Sequence, residues 1–284
     1  MHIFMTVLLL CCILPFLLMV SASFTAESTL VKNGYRFIPE SLSLETYSYR
    51  LRSAKVIFKG YGMTILITVV GTASNLLLTV LFAYPLSRKD LPYRGVLSFF
   101  LFFTMLFNGG LVPTYMMYSN IFHIKNTIWA LIVPGLMMNA FYVIMMRSFF
   151  TASIPDELIE AARLDGASEM KVLQKLVLPL SKPMIVTLVL MVGLNYWNDW
   201  MNGLYYVNDQ NLYTIQMILN NMINNIEFLT RNASMLGSDV ARISLPTVGI
   251  RMGIAVIAVL PVLIIYPFLQ KYFVKGIVIG GVKG

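Results

Sequence analysis

Charged residues are scarce in this sequence. Only 12% of its 284 residues are Asp, Glu, Lys or Arg, whereas 58% are hydrophobic. A soluble domain of this size would carry about twice that charged fraction, so the composition excludes an ordinary soluble domain and indicates a polytopic membrane protein. The formal net charge of +8 does not indicate a nucleic-acid-binding protein, because the basic residues are dispersed and bracket long apolar runs.

Cysteine and histidine are also nearly absent. Cys11 and Cys12 are adjacent inside an apolar run, which predicts neither a disulfide framework nor a metal site. His2 and His123 lie far apart in the sequence. The patterns G-x-x-x-x-G-K-[ST], H-E-x-x-H, C-x-x-C and G-x-S-x-G do not occur, so the chain cannot hold ATP as a P-loop does. We therefore expect no catalytic residue, no metal and no enzymatic activity.

Six apolar segments predict six transmembrane helices in one all-α membrane domain that covers residues 1–284. The predicted spans are about 3–20, 61–84, 95–117, 127–146, 184–206 and 247–269. The predicted outer loops are 21–60, 118–126 and 207–247. The first segment lacks a basic region before it and is long for a signal peptide, so we expect it to be retained as a span.

Small and polar residues inside two of these spans predict special packing. The second span contains Gly71 and Asn75, residue types that occur at helix–helix contacts in lipid. The third span is interrupted by Asn108-Gly109-Gly110 and Pro113, which predicts a bend or an unwound turn. Such backbone is tolerated in a membrane only against protein or a water-filled cavity.

The distribution of basic residues predicts the orientation. Six spans place both termini on one side, and the short loops on that side carry the higher density of Lys and Arg, so we expect both termini to be cytoplasmic. The basic stretch from Arg50 to Lys59 in the first outer loop is an exception to this rule. An interfacial helix there is one alternative, and the sequence leaves it open.

A polar stretch from Ser153 to Pro183, with five acidic and four basic residues, separates spans four and five. Ile154-Pro155 is a helix-start signal with Ser153 as a possible cap, and Leu158, Ala161, Ala162 and Leu164 would form its apolar side. Asp165-Gly166 predicts the end of this helix, since glycine adopts the left-handed conformation of a tight turn.

A second helix is predicted to follow, with Ser168 as its cap and Pro179 at its end. Its apolar face would consist of Val172, Leu173, Leu176 and Val177. By these features alone, the stretch predicts a rigid helix–turn–helix, and an amphipathic connector on the membrane surface remains an alternative.

The spacing within this stretch resembles the EAA loop of ABC importer permeases. That motif reads E-A-A, three residues, G, nine residues, I-x-L-P, and this chain departs from it only by a leucine in place of the isoleucine. The residues that carry the resemblance, and to which it assigns coupling to an ATPase, are Glu160, Ala161, Ala162, Asp165, Gly166, Ala167, Leu176 and Pro179.

The whole chain resembles the carbohydrate-uptake permeases, in particular the second permease of maltose-type importers. The tail 270–284 is similar to that family's ending, and residues 108–114 and 198–203 resemble the branch that imports complex oligosaccharides in Gram-positive bacteria. The resemblance implies the type I ABC importer fold with a cytoplasmic EAA helix–turn–helix. It also implies a second permease, two ATPase subunits that bind ATP-Mg, an extracellular lipoprotein that delivers sugar, and no cofactor on this chain.

A polar and aromatic cluster near the outer end of span five is the candidate sugar path. Aromatic faces stack on sugar C–H surfaces and amides pair with hydroxyls, so these residue types suit a saccharide, although an interfacial aromatic belt is the alternative. Asn195, Asn198 and Asn202 would share one helix face. The candidate residues are Asn195, Tyr196, Trp197, Asn198, Asp199, Trp200 and Asn202.

The alternative function is a stand-alone ion-coupled carrier. Such a carrier would usually place ionisable residues within its spans, and Asp199 is the one carboxylate deep enough to serve. A membrane enzyme would need a nucleophile and a base close together, and the sequence offers no such pair.

Overall fold

A computed structural model describes residues 2–43 and 54–231, together with residues 249, 252–253, 255–264 and 267 of the last predicted span. The described residues are helical and form no strand beyond one isolated bridge between Thr25 and Leu42. The chain divides into two compact units, Met1–Tyr61 with Thr214–Ile265 and Gly62–Tyr213 with Tyr266–Gly284. Of the basic stretch 50–59, residues 50–53 lie outside the described residues and residues 54–59 form the start of a helix, and the tail 270–284 lies entirely outside the described residues.

The helices are numbered in chain order. They are α1 (His2–Ser23), α2 (Glu27–Asn33), α3 (Ala54–Ser87), α4 (Arg94–Leu106), α5 (Leu111–Ile121), α6 (Trp129–Ile132), α7 (Ala140–Ser153), α8 (Asp156–Leu164), α9 (Glu169–Leu180), α10 (Lys182–Asn198), α11 (Met201–Tyr206), α12 (Ile215–Arg231) and α13 (Ala255–Ile264). Helices thus cover most of the described residues of the six predicted spans, with breaks in spans three, four and five, and α1 and α3 are each long and apolar enough to cross a membrane.

The first unit is held by apolar packing between α12, α13 and the start of α3. Ile57, Ile215, Leu219 and Ala258 form its buried cluster. The Tyr61 hydroxyl donates a hydrogen bond to the Ile257 carbonyl. The first turn of α3 and α13 are therefore joined by both apolar and polar contacts.

In the second unit, α3 crosses α10 where Gly71 faces Tyr196. A Cβ at Gly71 would lie 2.4 Å from the Tyr196 ring, so only glycine fits this crossing. Asn75, one turn further along α3, is fully buried and donates to the Leu136 carbonyl at 2.6 Å. The predicted role of these small and polar residues in helix contacts is confirmed.

Span three is interrupted as predicted. The helices α4 and α5 meet at an angle of 112° across residues 107–110. Gly110 has a φ of +85°, and its N–H donates to the Asn108 side chain at 2.9 Å. The bend therefore arises from the Asn-Gly-Gly sequence itself, because Gly110 adopts a positive φ directly before α5 begins at Leu111.

The prediction of a continuous helix over 127–146 in span four is wrong. The structure has a short α6, a non-helical segment at 133–139, and then α7. Pro134 lacks an N–H, Gly135 has a φ of +69°, and the Asn139 side chain caps α7 by accepting from the Phe141 N–H at 2.9 Å. Hydropathy could not reveal this break, because the segment is as apolar as a helix would be.

Candidate functional site

The first helix of the coupling loop (residues 153–183) starts differently from the prediction. Ser153 is the last residue of α7 and does not cap α8, because the chain leaves α7 through the extended residue Ile154 and enters α8 at Pro155. The predicted apolar side is also wrong, since Leu164 is 90% exposed and Ile159, at 2% exposure, is the residue that packs inward.

The turn after α8 has the predicted glycine geometry. Gly166 has a φ of +78°. The Ala167 N–H donates to the Ala162 carbonyl and the Gly166 N–H donates to the Arg163 carbonyl, each at 3.0 Å. The bond from Ala167 to Ala162 is that of a Schellman motif, which fixes the direction in which the chain leaves the helix.

The second helix of the loop, α9, packs as predicted but is capped and ended differently. Val172, Leu173 and Val177 are buried. The Ser168 side chain makes no capping hydrogen bond. Pro179 lies inside the last turn, and the chain bends by 81° only at Ser181. A π turn at Leu173–Val177 already interrupts the α-helical hydrogen-bond ladder, so the missing N–H of the proline disrupts little.

The coupling loop is joined to the end of α3 by a hydrogen-bonded chain of side chains. The Tyr84 hydroxyl donates to Glu169 Oε2 at 2.6 Å, and Arg163 Nε donates to Glu169 Oε1 at 2.7 Å. Arg163 also pairs with Asp90 at 3.0 Å. The Tyr84 hydrogen bond, aided by the Arg163 guanidinium, lowers the pKa of the Glu169 carboxyl. Glu169 therefore links both helices of the loop to α3.

Asp156, in the first turn of α8, makes a second connection to the same end of α3. It accepts from Lys89 Nζ at 2.9 Å and lies 3.5 Å from the Arg88 guanidinium. The hydrogen bond from Lys89 lowers the pKa of the Asp156 carboxyl, and the same bond raises the pKa of Lys89. Both ends of α8 and the start of α9 thus contact residues 84–90.

The residues of the EAA resemblance lie mostly on the outer surface of this helix–turn–helix. Glu160, Ala161, Asp165, Gly166 and Pro179 are exposed, and Ala162, Ala167 and Leu176 are half-buried. Because α8 is fixed on one side by Ile159 and on the other presents charged and small residues, it offers a firm surface to a partner.

The three asparagines of the candidate sugar path, Asn195, Asn198 and Asn202, do not share one helix face, contrary to the prediction. Helix α10 ends at Asn198, and α11 begins only at Met201, so Asn202 is out of register with Asn195 and Asn198. Asn195, Asn198 and Trp200 are exposed, Asp199 and Asn202 are half-buried, and Tyr196 and Trp197 are buried. The Asp199 side chain accepts from the Asn202 N–H at 3.3 Å at the start of α11.

Two of these residues instead support the break in span four. The Tyr196 hydroxyl donates to the Ile132 carbonyl, and the Asn202 amide donates to the Pro134 carbonyl, each at 2.9 Å. With Asn75 on Leu136, they satisfy three carbonyls around the non-helical segment. Sequence reasoning missed the neighbouring Asn139 and Tyr142, for which the only signal was a Pro-Gly pair followed by an asparagine in an apolar run.

Within the described ranges, no group of three or more His, Cys, Asp or Glu side chains is arranged to hold a metal ion. The described residues form an apolar helical protein. Side-chain hydrogen bonds stabilise the break in span four, and a rigid polar loop is joined to the end of α3. These features define a helical membrane protein.

The comparisons identify its family. The profile described as "Binding-protein-dependent transport system inner membrane component" matches residues 76–279, and the chain belongs to this family. It is 39% identical over 272 residues to Protein LplC of Bacillus subtilis (strain 168), which covers 96% of this chain and 90% of LplC.

A second relative is the polygalacturonan/rhamnogalacturonan transport system permease protein YtcP of the same organism, 38% identical over 281 residues that cover 99% of this chain and 96% of YtcP. Among solved structures, the chain matches a bacterial ABC transporter involved in the import of the acidic polysaccharide alginate. The TM-score is 0.82 at 28% identity, over 96% of this chain and 94% of that chain. The chain is thus a permease subunit of an ABC importer and not an enzyme.

Proposed function

We propose that this permease forms, with a second and similar permease, the membrane path for a complex oligosaccharide. An extracellular lipoprotein delivers the sugar, and two separate ATPase subunits drive the transport. The names of the relatives support a polymeric sugar substrate, since YtcP is a permease for polygalacturonan and rhamnogalacturonan and the matched structure belongs to an alginate importer. Both termini lie in the cytoplasm, as the density of basic residues favours.

The observation that carries the proposal is the stiff helix–turn–helix at the coupling loop. A surface that passes on a mechanical displacement must not deform, and α8 meets this need through its buried Ile159 and its Schellman turn at Gly166. The exposed side with Glu160 and Ala161 docks in a cleft of the ATPase. Closure of the ATPase dimer around ATP then displaces the loop as a rigid body.

Tyr84, Asp90, Arg163 and Glu169 pass this displacement into the membrane. Their hydrogen bonds and ion pairs attach the loop to the end of α3. A shift of the loop therefore moves a helix that is long enough to span the bilayer. Energetic coupling of this kind requires an element with two arrangements that both sites bias, and α3 with its attached loop is that element.

The sugar path runs past the exposed side chains of the outer cluster. Asn195, Asn198 and Trp200 present amide and indole groups that suit hydroxyls and sugar C–H faces. Tyr196 and Asn202 act on the path by holding its wall, through their bonds to Ile132 and Pro134. The chain itself binds no cofactor in this proposal, because ATP-Mg belongs to the partner subunits.

Co-purification with its partners tests this function. The chain is expressed with a second permease and candidate P-loop ATPases, as wild type and as Gly166→Pro and Glu160→Lys. The wild type should retain an ATPase, and both variants should lose it or lose sugar-stimulated ATP hydrolysis. Glu157→Lys, the same charge change in α8 outside the motif, serves as the control. If no ATPase associates, or transport persists after ATP depletion, the ion-coupled carrier becomes the better account.

A further inference from the structure

Among the described residues, the non-helical segment at 133–139 is satisfied by protein on one side only. On that side the carbonyls of Ile132, Pro134 and Leu136 each accept a side-chain hydrogen bond at 2.6–2.9 Å. On the other side Gly135 is exposed, and a Cβ built on it would meet no atom within 4 Å. Irregular backbone at membrane depth lies against protein or a water-filled cavity, and the labelling experiment below distinguishes these two surroundings at Gly135.

A small cavity adjoins this open side. Its volume is about 20 Å³, which is room for one water-sized group. The polar residues in its wall are Asn139 from the segment, Tyr142 from α7, and Asn195 and Tyr196 from α10. The Tyr196 hydroxyl already donates to the Ile132 carbonyl. No side chain that carries a formal charge lines it.

The hydrogen-bonding capacity of these residues is only partly used. The Asn195 amide nitrogen donates to the Tyr142 hydroxyl oxygen at 2.8 Å, and the Asn139 amide oxygen accepts from the Phe141 N–H. Within the described part of the chain, the Asn139 nitrogen, the Asn195 oxygen and the Tyr142 hydroxyl hydrogen have no further partner. The cavity wall therefore offers unused donors on Asn139, Tyr142 and Asn195 and an amide-oxygen acceptor on Asn195.

That combination matches an alcohol. A hydroxyl group accepts and donates at the same time, so it can take the hydrogens of Asn139 or Tyr142 while it donates to Asn195. A metal cation would lack a charged ligand in this wall, and an anion would lack a cation. The apolar side chains of Leu136 and Val192 limit the remaining space, so a single hydroxyl enters and a sugar ring does not.

We propose that Asn139, Tyr142 and Asn195 form a subsite that takes one hydroxyl of the saccharide as it passes the break in span four. This inference rests on the proposed function and deepens it, since it names the residues that read the sugar within the membrane. The subsite uses neutral groups and few bonds, which is compatible with a path that must also release its substrate.

Thiol labelling tests whether the subsite is hydrated and reached by sugar. In a background with Cys11→Ser and Cys12→Ser, the changes Asn139→Cys, Tyr142→Cys and Asn195→Cys are made one at a time in the assembled importer. A membrane-impermeant thiol reagent added outside should label all three, because Asn139 and Asn195 are half-buried and exposed, respectively, and the loss of the Tyr142 ring enlarges the cavity. Asn120→Cys, an exposed amide at the end of α5, is the labelled control, and Phe102→Cys on the apolar surface of α4 is the unlabelled one.

An imported sugar should slow the labelling at these three positions and not at the Asn120→Cys control. The probes are trigalacturonate, arabinotriose and raffinose, each supplied with the binding lipoprotein. Labelling no faster than at the Phe102→Cys control, or labelling that no imported sugar slows, would overturn the subsite. If the wild-type importer takes up none of the probes, the proposed function is contradicted for these sugars, and the labelling rates still decide whether the cavity is hydrated.

Uptake kinetics give an independent readout. Asn139→Ser keeps a side-chain oxygen to cap α7 but loses the amide, and Tyr142→Phe removes only a hydroxyl. Each should raise the KM for the imported probe about 2- to 10-fold, the effect of one neutral hydrogen bond, with ATPase association unchanged. Asn120→Ala is the matched control and should leave KM as in the wild type. Equal KM values in all variants would contradict the proposal.

Discussion

The hydroxyl of Tyr84, in the last turns of α3, donates a hydrogen bond to Oε2 of Glu169 at the start of α9 across 2.6 Å. The two residues are 85 positions apart in the chain. The acceptor is a carboxylate that also pairs with Arg163 in α8. This contact joins the end of a membrane-crossing helix to both helices of the coupling loop.

Tyr84→Phe should separate ATP hydrolysis from transport. The change deletes one hydrogen bond to a charged acceptor and leaves the ring in place, so the complex should still bind its ATPase. A bond of this type is worth about 1.5–3 kcal/mol, and we expect sugar transported per ATP to fall several-fold. The measurement is uptake against hydrolysis in proteoliposomes. Tyr93→Phe, an exposed phenol nearby, is the control, and an unchanged ratio in Tyr84→Phe would refute the assignment.

Gly166→Ala should weaken the loop through the backbone alone. A Cβ at Gly166 meets no atom within 4 Å, so no clash contributes, but its φ of +78° costs an L-residue about 1–2 kcal/mol. The ATPase should dissociate at lower temperature or lower subunit concentration. Gly166→Asn should be milder, because asparagine tolerates the left-handed region. Gly95→Ala, at a helical glycine with equal space, should change nothing, and a similar loss there would rule out this explanation.

Gly71→Ala should disrupt the membrane core instead. Its Cβ would lie 2.4–2.8 Å from three atoms of the Tyr196 ring, which is itself packed in and hydrogen-bonded. Overpacking of this kind costs about 1–3 kcal/mol, so the yield of folded protein and its melting temperature should drop. Gly62→Ala, in the same helix with open space around it, is the control. Full stability of Gly71→Ala would show that the crossing adapts.

Acid should remove the contribution of Glu169 to stability. Its folded-state pKa is lowered, first by Tyr84 and then by Arg163, so the contribution is complete above the unfolded value of about 4.3 and is lost as the pH falls through the folded value. The melting-temperature difference between the wild type and Glu169→Gln should be constant from about pH 8 to 5 and shrink below about pH 4. The difference for Asn120→Ala should stay flat throughout. If the melting-temperature difference between the wild type and Glu169→Gln grew as the pH fell, the assignment of a stabilising role to ionised Glu169 would be contradicted.

Local signals in the sequence predicted the local structure well. The turn at Gly166 and the break at Asn108-Gly109-Gly110 need only a left-handed residue, and both formed where the glycines stand. The break in span four was missed although Pro134 and Gly135 mark it, because the surrounding residues are uniformly apolar and hydropathy does not depend on backbone shape.

The side-chain roles that depend on distant residues were not accessible from the sequence. Tyr196 was predicted to face the sugar, yet it is buried against Gly71 and bonds the Ile132 carbonyl, 64 residues earlier. Its type and position suit both roles, and only the three-dimensional crossing of α3 and α10 separates them. The same holds for Tyr84 and Glu169, whose pairing no periodicity predicts.

The close packing of Gly71 against Tyr196 fixes one point of α3 against α10. Tyr84, through which α3 contacts the coupling loop, lies 13 residues from Gly71, which is about 20 Å at helical rise. At the crossing, the ring of Tyr196 packs directly against Gly71. Its hydroxyl donates a hydrogen bond to the Ile132 carbonyl, just before the break in span four. Under the proposed mechanism, a displacement of Glu169 would reach the wall of the small cavity through these close contacts, and the proposed hydroxyl subsite would move with α3.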